Sequence, residues 1–183
     1  MRLEVPDAHQ AETLIAVAAG AVLATIGGFI ATLLEARLHR RQRERTAALI
    51  FGEILASLRT LIRAVEDAHG IGDPFGPLTL RLVRGARREI EAYDRSRPAL
   101  SDLRETGLRL DIHALVTRIA LALDGLIEAE SETYRVGSYD FLLSIAPGLD
   151  GLVRRLAPIA GQPVTPYESL VRAAQPNPQP SAS

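Results

Sequence analysis

Glu66 and His69 stand three residues apart in a stretch patterned as helix, which sets a carboxylate and an imidazole on one face. Carboxylate-bridged di-iron bundles use that pair, but they need a second Glu-x-x-His and two further glutamates. His9, His39 and His113 have no Glu three positions before them, so the ligand set is incomplete. His69 reads more simply as a basic residue in the last turn of a helix, where it meets the helix dipole. Glu128, Glu130 and Glu132 form an acidic run followed by Tyr134. Paired carboxylates do acid–base work only where a pocket perturbs them, and alternate positions on a helix face different ways. That run reads as a solvated helix end. His113 lies at the edge of an apolar face with no neighbour that suggests a triad.

The chain has no cysteine, so thiol nucleophiles, disulfides and thiolate metal sites are excluded. All 21 basic residues are Arg, which removes Lys Schiff-base chemistry and the phosphate-loop lysine. No glycine-rich phosphate loop, nucleophile elbow or metalloprotease helix occurs. The expectation is a chain that is not an enzyme, with no catalytic, cofactor-binding or metal residues. Basic and acidic residues nearly cancel at a net charge of −1, and the few aromatics do not interleave with a basic patch, which argues against a nucleic-acid partner. Heavy Ala, Gly and Arg usage points to GC-rich coding and a bacterial source.

The elements around these residues are more informative. From Thr13 to Leu34 run 22 residues without a charge, ten of them Leu, Ile, Val or Phe. As a helix at 1.5 Å per residue the run covers about 33 Å, against a hydrocarbon core of about 30 Å. It is too long for a signal-peptide core, its leader carries one Arg against three acids, and it exits into Glu35-Ala36-Arg37 without a small-x-small site. The reading is a single transmembrane helix over 13–34, preceded by a short extracytoplasmic N-terminus (1–12).

Arg37, Arg40, Arg41, Arg43 and Arg45 follow within nine positions, whereas Arg2 stands alone before the run. The positive-inside rule places the N-terminus outside and everything after the span in the cytoplasm of a single-pass inner-membrane protein. The same arginines can attract anionic lipid head groups. Within the span Ala16, Gly20, Ala24, Gly28 and Thr32 stand four apart and make a ridge of small side chains. Such ridges let helix backbones approach closely in lipid, so a homo-oligomer is expected.

After a basic juxtamembrane helix (35–45), residues 46–160 carry four to five amphipathic helices, enough for a small cytosolic bundle. Phe51, Ile54, Leu55, Leu58, Leu61, Ile62 and Val65 mark the first, which Gly70 is expected to cap in the left-handed region. A turn-rich loop covers 70–77, and Leu82, Val83, Ala86, Ile90 and Tyr93 form the buried stripe of a helix over 78–95. A short helix follows from Pro98 and stops near Gly107. The longest apolar stripe predicts one helix from Arg109 to Arg135, ended by Gly137, with Ser138 capping the next, which Pro147-Gly148 breaks or kinks before it resumes through Leu152 to Ile159. A capping box at Thr165–Glu168 predicts a short helix over about 166–174, before a disordered tail (175–183). Ile119–Ile127 and Ile145–Val153 share six of nine residues, and their glycines are candidates for close helix crossings.

The fold class expected is all-α, an N-terminal span continuing into a helical bundle. The function expected is binding, scaffolding or regulation from the membrane, through the lipid bilayer, self-association and a protein partner of unstated identity. A pore-forming effector is the alternative and a membrane-tethered enzyme the third reading; a span whose only polar residues are Thr13, Thr25 and Thr32 argues against a pore.

Overall fold

A computed structural model describes residues 8–166, and the side chains of 20, 21, 23–25 and 27–166. Every regular element in it is helical. Five α-helices run α1 Ala8–Gly70, α2 Pro77–Ser96, α3 Thr106–Glu128, α4 Glu132–Ile145 and α5 Pro147–Ala160, with a 3-10 turn over Arg97–Asp102 between α2 and α3. The contacts divide the chain into two units, Met1–Gln42 and Arg43–Ser183.

The second unit is the expected helical bundle. Its α1 portion buries Ala47, Ala48, Phe51, Ile54, Leu55, Leu58, Ile62 and Val65, spaced by three or four so that one stripe faces the core. Val83, Ala86, Ile90 and Tyr93 meet it from α2, with Ile112, Val116, Ile119, Leu123 and Leu126 from α3. Leu142, Leu149, Leu152 and Leu156 complete the core from α4 and α5. Leu61 and Leu82, expected inside, are partly buried at its margin.

The first helix ends at Gly70 as expected, but its left-handed cap lies two residues further on. Gly72, not Gly70, takes the left-handed conformation at φ +92°. Its N–H donates to the His69 carbonyl, and the Asp73 N–H to that of Ala68, which is the double bond of a Schellman closure. Asp73 then starts the next helix: its Oδ2 accepts from the N–H groups of Leu78 and Thr79.

The predicted helix from Arg109 to Arg135 is two helices. It breaks at Ala129–Ser131, where the Ala129 backbone is extended at ψ 123°. Ser131 Oγ accepts from the Tyr134 N–H at 3.3 Å, and Arg135 Nη2 donates to the Ala129 carbonyl at 2.7 Å. One orphaned backbone group at each helix end is thereby satisfied without Gly or Pro. Gly137 and Ser138, expected as stop and cap, lie inside α4. Gly107 likewise lies in the first turn of α3, and the preceding turn stops at Asp102. Pro147 does separate α4 from α5, and Gly161 at φ +73° closes α5. The short helix over 166–174 and the tail lie outside the described residues.

The expected transmembrane helix Thr13–Leu34 is helical over its whole length as part of α1. As a membrane span it is unsupported: among the described residues no helix is long and apolar enough to cross a membrane. Five of its ten large apolar residues (Leu14, Ile15, Val17, Val22 and Ile26) carry side chains outside the described ones.

Candidate functional site

In the first unit, Leu23 and Phe29 are 70% and 66% exposed, and Ile30, Leu33, Leu34 and Leu38 are 48–64% exposed. At 100° per residue these six positions fall within one half of the helix circumference. Of the small-residue ridge, Gly20, Ala24, Gly28 and Thr32 are exposed, and a β-carbon added to Gly20 or Gly28 would meet nothing within 4 Å. The side chain of Ala16 lies outside the described ones. Thr25 Oγ1 donates to the Ala21 carbonyl at 2.8 Å and Thr32 Oγ1 to that of Gly28 at 2.9 Å. Both hydroxyls are satisfied by their own helix, which removes most of the cost of carrying them in an apolar medium.

Arg37, Arg40 and Arg41 are exposed in the same unit, and Arg43 and Arg45 are exposed in the second. Among the described residues none of the five is ion-paired. The acids beside them are engaged elsewhere. Glu35 Oε1 lies 3.5 Å from His39 Nε2. Glu44 accepts from the Arg104 guanidinium at 3.1 Å and from its backbone N–H at 3.3 Å.

The bundle's chemistry-bearing residues are organised differently from their sequence spacing. His69 is not paired with Glu66 as metal ligands would be. Its ring stacks on Tyr139 of α4 at 4.3 Å and 12°. The edge of Phe75 meets both, and the Arg135 guanidinium lies 5.6 Å over the Phe75 ring. Burial, with the negative charges of Glu66 and Asp140, pushes the Tyr139 hydroxyl upward. The cluster draws on α1, the following loop and α4, and no spacing in the sequence announces it. His113 also has a partner unseen in the sequence, since its Nδ1 lies 3.0 Å from the Tyr93 hydroxyl. Tyr93 is buried against Phe51, and desolvation raises its pKa. This pair ties α2 to α3 at the edge of the core.

Glu128, Glu130 and Glu132 straddle the α3–α4 break and are exposed, so they converge on nothing. Beside them an open groove of about 440 Å³ is lined by Leu121, Ala122, Phe141 and the hydroxyls of Ser131, Thr133, Tyr134 and Ser138. It holds no ionisable pair for acid–base chemistry. Burial raises the pKa of Glu53, but a lone carboxylate makes no acid–base couple. Among the described residues no group of three or more His, Asp or Glu is placed to hold a metal ion.

Compared with known proteins, the chain matches no protein family, no curated protein and no solved structure.

Proposed function

We propose that this chain is a single-span, membrane-anchored helical protein that acts by binding, with Thr13–Leu34 as the anchor and the bundle as its cytoplasmic module. One observation carries the reading: the 22-residue run is helical with no charged residue on any face, and its described large apolar side chains are exposed. Exposed apolar surface costs roughly 25 cal/mol per Å² in water, so a helix with bare apolar side chains and no charged face belongs in lipid or against other helices. A bilayer supplies that surrounding, and the satisfied threonine hydroxyls suit it. The arginines after the run, against Arg2 before it, favour an N-terminus outside and a bundle in the cytoplasm of the inner membrane.

Two further parts follow from the same surface. The open ridge of Gly20, Ala24, Gly28 and Thr32 favours packing against a second copy. The absence of a catalytic motif in the sequence, and the shallow hydroxyl-lined groove beside exposed Leu121 and Tyr134, favour a regulatory or scaffolding role over catalysis.

Reporter fusions at Ser183 test the topology. A cytoplasm-active reporter is expected to work there and a periplasm-dependent one to stay silent. The reverse pattern, or release of the protein by an alkaline wash of membranes, overturns the reading.

A further inference from the structure

The arginines that follow the apolar run do more than carry charge. Arg37, Arg40 and Arg41 stand at i, i+3 and i+4 of α1 and therefore share one helix face. All three are exposed, and among the described residues none has an ion-pair partner. The carboxylate nearest them in sequence, Glu35, lies against His39 at 3.5 Å. Glu35 and His39 sit roughly 160–200° round the helix from Arg37, so that pair leaves the arginine face unquenched. The residue type matters as well. A guanidinium offers two parallel N–H donors to one phosphate, which an ammonium cannot.

Position along the helix selects the source of the phosphate. The three arginines lie three, six and seven residues beyond Leu34. At 1.5 Å per residue that is about 4–11 Å past the end of the apolar run. The polar layer of one leaflet is about 5–8 Å thick, and a long Arg side chain reaches along the helix by several ångströms. Topology alone requires net positive charge in any arrangement. Three unpaired guanidiniums on one face at head-group depth supply an oriented phosphate site.

We infer that Arg37, Arg40 and Arg41 form a binding face for the phosphodiester head groups of anionic phospholipids, so that the protein gathers such lipids around its cytoplasmic end. The inference rests on the membrane-anchor reading above.

The test uses the full chain in bilayers of phosphatidylcholine with a minor fraction of phosphatidylglycerol. Flotation after an alkaline wash reports insertion, and mass spectrometry of retained lipid reports phosphatidylglycerol enrichment over the bulk. Wild type is expected to float in vesicles with and without phosphatidylglycerol and to retain that lipid preferentially. A basic residue near an anionic surface contributes about 1 kcal/mol, or about five-fold. The triple variant R37Q/R40Q/R41Q is therefore expected to insert normally but to lose at least about five-fold in enrichment. R43Q/R45Q, farther from the run, is expected to keep most of it. Insertion without enrichment, equal enrichment in the triple variant, or equal loss in R43Q/R45Q overturns the lipid face while leaving the anchor standing. Displacement of the lipid by inorganic phosphate at matched ionic strength assigns the arginines to a soluble anion and also overturns it. Failure of wild type to float removes the anchor and the inference together.

Discussion

Ile119 has no exposed surface, and Leu115, Val116 and Leu123 lie within one turn of it on α3. Ile119→Ala deletes buried methylenes and leaves a cavity, so a loss of about 2–5 kcal/mol is expected in denaturant melts of the full chain. Arg118 is one position away and exposed, yet its guanidinium lies 5.4 Å over the Phe141 ring. Arg118→Ala is expected to cost less than about 1 kcal/mol, the size of an exposed cation–π contact. Equal effects from the two would show that α3 is not packed as described. Asp150 gives a second residue-scale expectation. Arg59 Nη1 donates to its Oδ1 at 2.5 Å, with Arg63 at 3.6 Å, and this holds the carboxyl below the usual carboxylate range. The unfolded chain, with its higher pKa of about 3.9, takes up the proton first as pH falls. The pair's contribution is thus complete above about pH 4 and is lost as pH falls through the lower folded value. Asp150→Asn is expected to lower stability at neutral pH by about 1 kcal/mol or less, since the pair is part-exposed. It should also flatten the acid limb of a plot of Tm against pH. An acid limb identical to wild type would remove this pair from the account.

At the scale of elements, the glycines of the internal repeat behave unequally. A β-carbon at Gly125 of α3 would fall 3.1 Å from Ser138 Cβ and closer still to its hydroxyl. The two helices meet there with only hydrogen between them. Gly151, its repeat counterpart in α5, has nothing within 4 Å. Gly125→Ala is therefore expected to lose about 1–3 kcal/mol through overpacking. Gly151→Ala is expected to be neutral or to gain up to about 1 kcal/mol from helix propensity. Thermal melts showing the same sign for both would break the helix-crossing account. Of the repeat's three glycines, Gly125 marks a close crossing, a β-carbon at Gly148 would meet the Leu115 side chain at 3.2 Å, and Gly151 is open, as a chance similarity in an Ala- and Leu-rich chain would have it.

At the scale of the whole molecule, the proposed anchor makes self-association a matter of the exposed ridge. Gly20→Leu with Gly28→Leu sets two branched side chains where the described structure has open space, so two backbones can no longer approach. Cross-linking in membranes is expected to show less dimer for the double variant, with insertion unchanged. An unchanged yield would move the contact off this ridge.

Periodicity and composition were enough for the class of fold. Without cysteine, with apolar residues every three or four positions from Phe51 to Val65 and again from Ile112 to Leu126, the chain has few alternatives to a helical bundle. They were also enough to pick out the uncharged run and its arginines, because charge and length are read directly from residue type. They did not locate the α3–α4 break. The stops there are an extended Ala129, the Ser131 hydroxyl and an arginine reaching back to a carbonyl, none of which is a glycine or proline signal, and Gly125 lets α4 approach α3 closely beside them. The neighbours of His69 and His113 were equally hidden. Tyr139 is 70 residues from the one and Tyr93 is 20 from the other, and only packing brings them into contact. A side chain's chemistry is written in its type, but its partner is set by which helix faces which, and that depends on where the chain turns.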